Sequence, residues 1–327
     1  MASTTMKVIE MSEPGGAEVL IIGSQDIPKP RDTEVLIKVT ATGVNGPDIV
    51  QRKGFYPPPK GASDLLGLEV SGEITAIGRE VQHWSIGDKI CALTNGGGYA
   101  EYVAVEASHC LPIPDSVSEI DAAGLPETFF TVWSNVFYKQ NIPQNALFLA
   151  HGGAGGIGAT AIQIGDALGL RMFTTEGAPE RCDFCRTLGA ERAINYKDED
   201  FVAITREAGS ANIILDTIGG DYIARNIKAS APDGRIIQLA FNKGSKVEID
   251  LMPVMLKRLS FTGSTLRSRP DAFKSAIAKD LTEKVWPMFT KGTIKPVTHT
   301  VLPFEDAAQA HKMMEAGGHM GKILLTP

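Results

Sequence analysis

Short runs of apolar and β-branched residues, broken by glycine and proline clusters, fill the first third of the chain. Glu34-Val-Leu-Ile-Lys-Val39, Gly72-Glu-Ile-Thr-Ala-Ile77, Asp88-Lys-Ile-Cys-Ala-Leu93 and Tyr102-Val-Ala-Val105 predict strands of a compact, mostly β domain of barrel type. From about Asp121 the pattern changes to buried apolar strands alternating with helices. The strands are Ala146–Ala150, Arg171–Thr175, Arg192–Asn195, Asn212–Asp216, Arg235–Ala240 and Ser260–Ser264. Between them lie helices over Gly155–Leu168, Pro179–Leu188, Phe201–Ala208, Tyr222–Ala231 and Met252–Lys257. Six buried strands with crossover helices predict a doubly wound parallel sheet. After Arg267 the pattern reads as one long helix (Asp271–Phe289), a strand (Lys295–Leu302), a helix (Phe304–Glu315) and a strand (Gly321–Leu325). A complete six-stranded sheet has no place for these, so they are expected to return to the first domain. The expected division is residues 1–122 with 268–327, and 123–267.

The first strand of the second domain runs into His151-Gly-Gly-Ala-Gly-Gly-Ile-Gly158 and then a helix. Gly153, Gly155 and Gly158 fit G-x-G-x-x-G in the strand–turn–helix context that a Rossmann dinucleotide site requires. The first glycine allows a tight turn, the second lets the backbone approach a pyrophosphate, and the third lets helix pack on strand. Phosphates would then sit on the unpaired N–H groups of Gly155, Gly156, Ile157 and Gly158 at the positive helix end.

An acid is expected about 20 residues beyond this fingerprint, and Glu176 stands there, after Arg171-Met-Phe-Thr-Thr175. A carboxylate accepts from an adenosine ribose and repels a 2′-phosphate, which favours NAD. Five residues later Arg181 is placed to pair with a 2′-phosphate, which favours NADP. Glu176 also reads as a solvated loop carboxylate, and Arg181 as a solvated helix face. Tyr196, after the next strand, would flank the same pocket.

Composition narrows the classes. Apolar residues are 43% and charged residues 21% of the 327, as in an ordinary globular protein. The formal net charge of -6 offers no basic field for nucleic acid or anionic lipid. No apolar run reaches the roughly 20 residues of a membrane span, and Met1-Ala-Ser-Thr-Thr-Met-Lys7 has no apolar signal segment, so a cytosolic location is expected. Cys182 and Cys185 form C-x-x-C, but no second pair exists to complete a zinc site, and the pair reads as small helix residues. The histidines 83, 109, 151, 299, 311 and 319 show no metal spacing. His151 reads as a loop residue beside the phosphates and His311 as part of a helix face.

Several further motifs run the length of the chain. They are Asn45–Asp48–Gln51–Arg52–Tyr56, Leu66-Gly-Leu-Glu-Val-Ser-Gly72, Gly96-Gly-Gly-Tyr-Ala-Glu-Tyr-Val103, Asn195-Tyr-Lys197, Leu215-Asp-Thr-Ile-Gly-Gly220, Leu266-Arg-Ser-Arg269 and Gly321-Lys-Ile-Leu324. With them the chain resembles the medium-chain dehydrogenase/reductase superfamily from end to end. It is most similar to the zinc-free, zeta-crystallin-like quinone oxidoreductases, in the subgroup of the tumour-suppressor-inducible quinone oxidoreductase. The resemblance implies a discontinuous GroES-like domain beside the Rossmann domain, a homodimer joined through the edge strand Ser260–Ser264, and an acceptor site in the interdomain cleft.

Where the zinc alcohol dehydrogenases of that superfamily carry a cysteine and a histidine ligand, this chain has Asn45 and Leu68, and it lacks their four-cysteine lobe. No zinc is therefore expected. Without a Lewis acid, a quinone or activated alkene is a better acceptor than a simple carbonyl, because it spreads the developing charge. By resemblance, Asn45 and Tyr56 line the acceptor site near the nicotinamide, with Tyr56 a proton donor to the substrate oxygen. Thr131, Ala240, Phe241, Leu266 and Arg267 would border the nicotinamide, Ile218 the adenosine, and Lys322 would reach the cofactor from the returning C-terminal segment. The branch usually has Thr-Ala-Gly-Ser where this chain has Thr175-Glu-Gly-Ala178. A phosphate-binding serine is lost and an acid is gained. The expectation is thus an NADPH:quinone oxidoreductase, with NADH as the alternative cofactor. Reduction of alkenals, enones or enoyl thioesters, and non-catalytic NADPH binding as in lens crystallins, are the alternative activities.

Overall fold

The structure, a computed structural model, describes residues 4–327. It divides into two compact units: the described residues up to Phe130 together with Arg267–Pro327, and Thr131–Leu266. The strands of the N-terminal part are β1 (Thr5–Met11), β2 (Leu20–Asp26), β3 (Glu34–Val44), β4 (Glu69–Ile77), β5 (Lys89–Leu93), β6 (Tyr102–Glu106) and β7 (Cys110–Pro112). Thr131–Leu266 contains β8 (Leu147–His151), β9 (Arg171–Glu176), β10 (Arg192–Asn195), β11 (Ala211–Asp216), β12 (Ser230–Gln238) and β13 (Ser260–Gly263). β14 (Thr298–Pro303) and β15 (Lys322–Thr326) close the chain.

β3 organises the first unit. Its β-branched, largely buried sequence pairs with β4 along one edge, and the register slips twice, between Leu36/Ile37 and Val39/Ala41. Such bulges bend a strand and increase its twist. The other edge of β3 is shared: Glu34–Lys38 pairs with β6, and Thr42–Val44 with β15. The C-terminal strands therefore complete the GroES-like sheet, in the order β14-β15-β3-β4-β5-β7. Val35, Ile37, Val70, Ile74 and Ile90 form one of its cores. The register Ile323↔Val44 and Thr42↔Val70 brings the residues just outside these pairs, Asn45, Lys322 and Glu69, to the same end of three strands.

The second unit is a six-stranded parallel sheet in the order β10-β9-β8-β11-β12-β13. This is the Rossmann order, with β8 and β11 at the switch point where dinucleotides bind. β8 is buried throughout, and Leu147, Leu149, Phe173, Ile194, Ile214 and Ile236 share one core. β13 is the outer edge and is exposed along its length.

The stretch expected as one helix over Asp271–Phe289 is two, Asp271–Lys284 and Trp286–Thr290. Pro287 has no N–H for the carbonyl four residues back, and its ring crowds that carbonyl, so the helix stops and restarts.

Candidate active site

The glycine loop follows β8 and leads into the helix Gly156–Ala167, with Gly155 as its N-cap. The left-handed residue of the turn is Gly152 (φ 72°), not Gly153 as the fingerprint implies. Gly153 is needed for packing, since a Cβ there would lie 2.1 Å from Thr174 Oγ1. A Cβ on Gly158 would lie 2.2 Å from the Gly152 carbonyl oxygen, so only glycine lets helix and turn approach. A Cβ on Gly155 would meet nothing nearer than 3.7 Å. The loop is open there, next to first-turn N–H groups that have no helical acceptor.

Glu176 ends β9 and is buried, not a solvated loop carboxylate. One of its oxygens accepts from the Ala154 N–H at 2.6 Å, and the other pairs with Arg181 Nη2 at 2.8 Å. Tyr196 lies over Gly177, its hydroxyl 2.3 Å from where a Cβ would stand. Glu176, Arg181 and Tyr196 are therefore gathered beside the glycine loop, with Arg181 Nε buried and without a partner among the described residues. Thr131 Oγ1 and Gln238 Oε1 are also buried without partners among the described residues, and the Gln238 amide donates to the Ala240 carbonyl at 2.6 Å. The Ile218 N–H donates to Asp216 Oδ1 at 2.6 Å, Leu266 is buried, and Phe241 is exposed.

His151 proves to be the last residue of β8 and fully enclosed. Its Nε2 lies 2.8 Å from Asn226 Oδ1, and Asn226 Nδ2 donates to Asp216 Oδ2 at 2.9 Å. Asn226 Oδ1 must then accept, which puts the ring proton on Nε2 and leaves Nδ1 to accept from Thr175 Oγ1 at 2.9 Å. Burial lowers the His151 pKa, so the ring is neutral. This chain of bonds ties together the ends of β8, β9 and β11. It links residues 151, 175, 216 and 226, which no local spacing could have shown.

In the first unit, Asn45 Nδ2 donates to Glu69 Oε1 (2.8 Å) and Asn45 Oδ1 accepts from Lys322 Nζ (2.5 Å). Lys322 and Glu69 are themselves an ion pair of 2.7 Å, with both side chains buried. Glu69 reaches this position across β3 because Gly43 has no side chain; a Cβ there would lie 2.0 Å from Glu69 Oε1. Asp48 accepts from the Asn45 and Gly67 N–H groups, and burial pushes its carboxyl up to about 6. Glu69 was not among the residues singled out from sequence; the signal was an acid heading the buried run Glu69–Gly72 of β4.

A second buried group adjoins Tyr56. Arg267 donates to the Asn95 carbonyl (2.8 Å) and to Gln51 Oε1 (2.7 Å), and its guanidinium lies 5.6 Å from the centre of the Tyr56 ring. Its Nη2 has no hydrogen-bond partner among the described residues. Lys274, fully buried, donates to Asn95 Oδ1 and to the Arg267 carbonyl. Burial, then the nearby Glu127 carboxylate, raises the Tyr56 pKa, and burial lowers those of Arg267 and Lys274. His311 lies on the helix Ala307–Ala316, as expected, and on its buried side. It accepts from Arg52 Nη1 at 3.2 Å and donates to Tyr99 Oη at 2.9 Å, and burial lowers its pKa to about 3. The four cysteines are buried and free.

Residues 31–115 match the alcohol dehydrogenase GroES-like domain, and residues 188–325 match a family described as zinc-binding dehydrogenase. Rat (Rattus norvegicus) quinone oxidoreductase is 31% identical over 326 residues, covering 98% of this chain and 97% of the rat protein. The chain belongs to the quinone oxidoreductase family of the medium-chain dehydrogenase/reductases. A mycobacterial family structure solved with NADPH superposes with a TM-score of 0.87 at 27% identity, covering 98% of this chain and 100% of that one. The chain also matches a phenolphthiocerol/phthiocerol polyketide synthase subunit of Mycobacterium tuberculosis, at 26% identity over 335 residues. There it covers 99% of this chain but spans only 15% of the length of that relative. This quinone oxidoreductase relative is thus an oxidoreductase of mixed α/β architecture. Among its described residues no helix is long and apolar enough to cross a membrane.

The zinc-binding description does not fit the residues. Asn45 has its amide committed to Glu69 and Lys322, and Leu68 is a buried hydrocarbon. Among the described residues no three His, Cys, Asp or Glu side chains converge as ligands. The positive charge beside Asn45 belongs to the Lys322 ammonium. A nicotinamide dinucleotide fits better: the open face at Gly155 and the unpartnered Thr131, Arg181 and Gln238 atoms are groups it would satisfy.

Proposed function

We propose that this protein is an NADPH-dependent quinone oxidoreductase. The observation that carries the reading is that Asn45 and Tyr56 are surrounded by fixed cations and by carboxylates already tied to Lys322, to the Asn45 amide and to backbone N–H groups, in a chain similar to a quinone oxidoreductase over 98% of its length. Gly153, Gly155, Gly156, Ile157 and Gly158 would hold the pyrophosphate. Arg181 and Tyr196 would hold the adenosine phosphate, and Thr131, Ile218, Ala240, Phe241 and Leu266 the rest of the dinucleotide; Thr175, expected beside them, is buried with its hydroxyl given to His151. Once bound, the cofactor supplies the hydride, and the protein supplies orientation and a proton. Tyr56 donates to the acceptor oxygen, with Arg267 orienting its ring. Lys322 and Glu69 fix the Asn45 amide.

NADH is a second reading of the same site, favoured by one observation. The Glu176 carboxylate already neutralises Arg181 and would repel a 2′-phosphate. We also propose a homodimer formed through β13.

The test is an acceptor screen with NADPH and with NADH, using a quinone, an α,β-unsaturated aldehyde and a trans-2-enoyl thioester. Quinone turnover above the other two supports the reading. Turnover of the thioester alone replaces it with an enoyl reductase. Quenching of protein fluorescence by NADPH without any turnover replaces it with a binding role.

A further inference from the structure

Asn226 lies on the helix Tyr222–Ala229 and is wholly buried. Its Oδ1 accepts from His151 Nε2 at 2.8 Å, and its Nδ2 donates to Asp216 Oδ2 at 2.9 Å. The other Asp216 oxygen accepts from the Ile218 and Gly219 N–H groups at 2.6 and 3.0 Å, so this carboxylate folds the turn after β11. A second loop docks on that turn. The Lys243 N–H donates to the Ile218 carbonyl at 2.7 Å and the Gly220 N–H to the Gly244 carbonyl at 2.9 Å. A Cβ on Gly219 would lie 2.8 Å from the Gly244 oxygen. The turn also meets the glycine loop, where a Cβ on Gly152 would lie 3.7 Å from Thr217 Oγ1. Thr175 closes the chain from the other end: its carbonyl accepts from the Gly152 N–H at 3.1 Å and its hydroxyl donates to His151 Nδ1 at 2.9 Å.

We propose that Asn226 is a positioning residue for the dinucleotide: its amide fixes the glycine loop and the turn 217–220 relative to each other before any ligand arrives. The inference rests on the dinucleotide part of the functional reading. An amide can accept from a neutral imidazole and donate to a carboxylate at once; neither a carboxylate nor a hydrocarbon does both. A turn already ordered in the free protein loses less entropy when the ligand binds. Asn226 acts through Asp216 and His151, so it governs affinity for the dinucleotide and leaves the chemical step alone. The titratable and charged groups around it are His151 on β8, Asp216 on β11, and Tyr222 and Arg225 on its own helix, with Arg225 paired to Asp200 at 3.0 Å.

Asn226→Asp tests this, because it keeps the shape and the acceptor for His151 but sets an oxygen against Asp216 Oδ2. While the two carboxyl groups share a proton the bond survives; once both ionise they repel and the turn loses its anchor. Fluorescence titration compares the variant with the wild type at the same pH. The ratio of their NADPH Kd values should be within about twofold of one near about pH 5.5 and at least about tenfold near about pH 9. The kcat at saturating NADPH should stay at the wild-type value. In the ligand-free variant the Ile218 and Gly219 amides should exchange faster than in the wild type near about pH 9 and at the wild-type rate near about pH 5.5. A Kd ratio that is flat across pH overturns the inference, since a merely structural residue would change stability without it. Unchanged exchange at Ile218 and Gly219 near about pH 9 also overturns it. Faster exchange in a protein that binds neither NADPH nor NADH, as wild type or variant, overturns the functional reading and with it the role of Asn226 in binding.

Discussion

Glu176 and Arg181 form an ion pair of 2.8 Å beside the glycine loop, while the other Glu176 oxygen holds the Ala154 N–H at 2.6 Å. One carboxylate thus shapes the loop and restrains the cation nearest to it. Glu176→Gln keeps an acceptor for Ala154 but removes the charge. NADPH should then bind about fivefold tighter, the equivalent of about 1 kcal/mol for a pair with one partly exposed partner, and NADH should gain nothing. Arg181→Ala should weaken NADPH and spare NADH. Fluorescence titration of both dinucleotides reads the result, and unchanged affinities in both variants would show that the pair does not face the cofactor.

Among the described residues Lys322 is the only cation paired with the buried Glu69 carboxylate, and it also holds the Asn45 amide. Lys322→Met leaves that carboxylate uncompensated, which costs about 3–5 kcal/mol. The urea midpoint should fall accordingly, while the NADPH affinity of the folded protein changes less than about twofold. A stable variant with weakened NADPH binding would instead assign Lys322 to the cofactor. Gly43→Ala should destabilise in the same direction, because its Cβ would displace Glu69 from the same knot.

Much of the architecture was legible from local signals. Apolar runs of strand length and the glycine turn located the parallel sheet, because buried parallel strands have little choice of composition. The return of the C-terminal strands followed from there being no seventh place in that sheet. The side-chain networks were not legible. Asn45 and Lys322 are 277 positions apart, and only the β3–β15 register brings them together. Glu69 and Glu127 looked like ordinary acids, since the chemistry of each depends on burial and on the other. His151 drew attention for its neighbour, the glycine loop, yet its bonds run to Thr175 and Asn226. Pro287 was a visible signal that the long apolar periodicity of Asp271–Phe289 outweighed.

Stability should fall as the pH rises. Asp48 is raised from 3.8 to about 6 and Glu127 from 4.5 to about 8 in the folded chain. The native state therefore binds more protons than the unfolded state between the two values of each group. Their contribution is complete below the unfolded value and lost as pH passes the folded one. Glu127→Gln cannot ionise and should escape the upper part of this loss. Its melting temperature should exceed that of the wild type above about pH 8 and approach it below about pH 4.5. Parallel melting curves for the two proteins across that range would mean that Glu127 is not held as an acid in the fold.

Among the described residues no strand pairs with the outer side of β13, the edge of the parallel sheet. Phe261 on that strand and Met252, Met255 and Leu256 on the preceding helix are exposed hydrocarbons within the same unit. An uncovered edge with an apolar face is an invitation to another strand. A second copy related by a twofold axis could add its own β13 antiparallel, meeting the same patch with the same patch. Phe261→Glu would bring like charges together across that axis and bury them against the methionines, which costs far more than the same change on a solvated face. Light scattering at micromolar concentration should therefore give twice the chain mass for the wild type and the single mass for the variant, whose circular dichroism stays unchanged. A wild type that scatters as a single chain removes the dimer. A dimeric Phe261→Glu variant moves the interface away from β13.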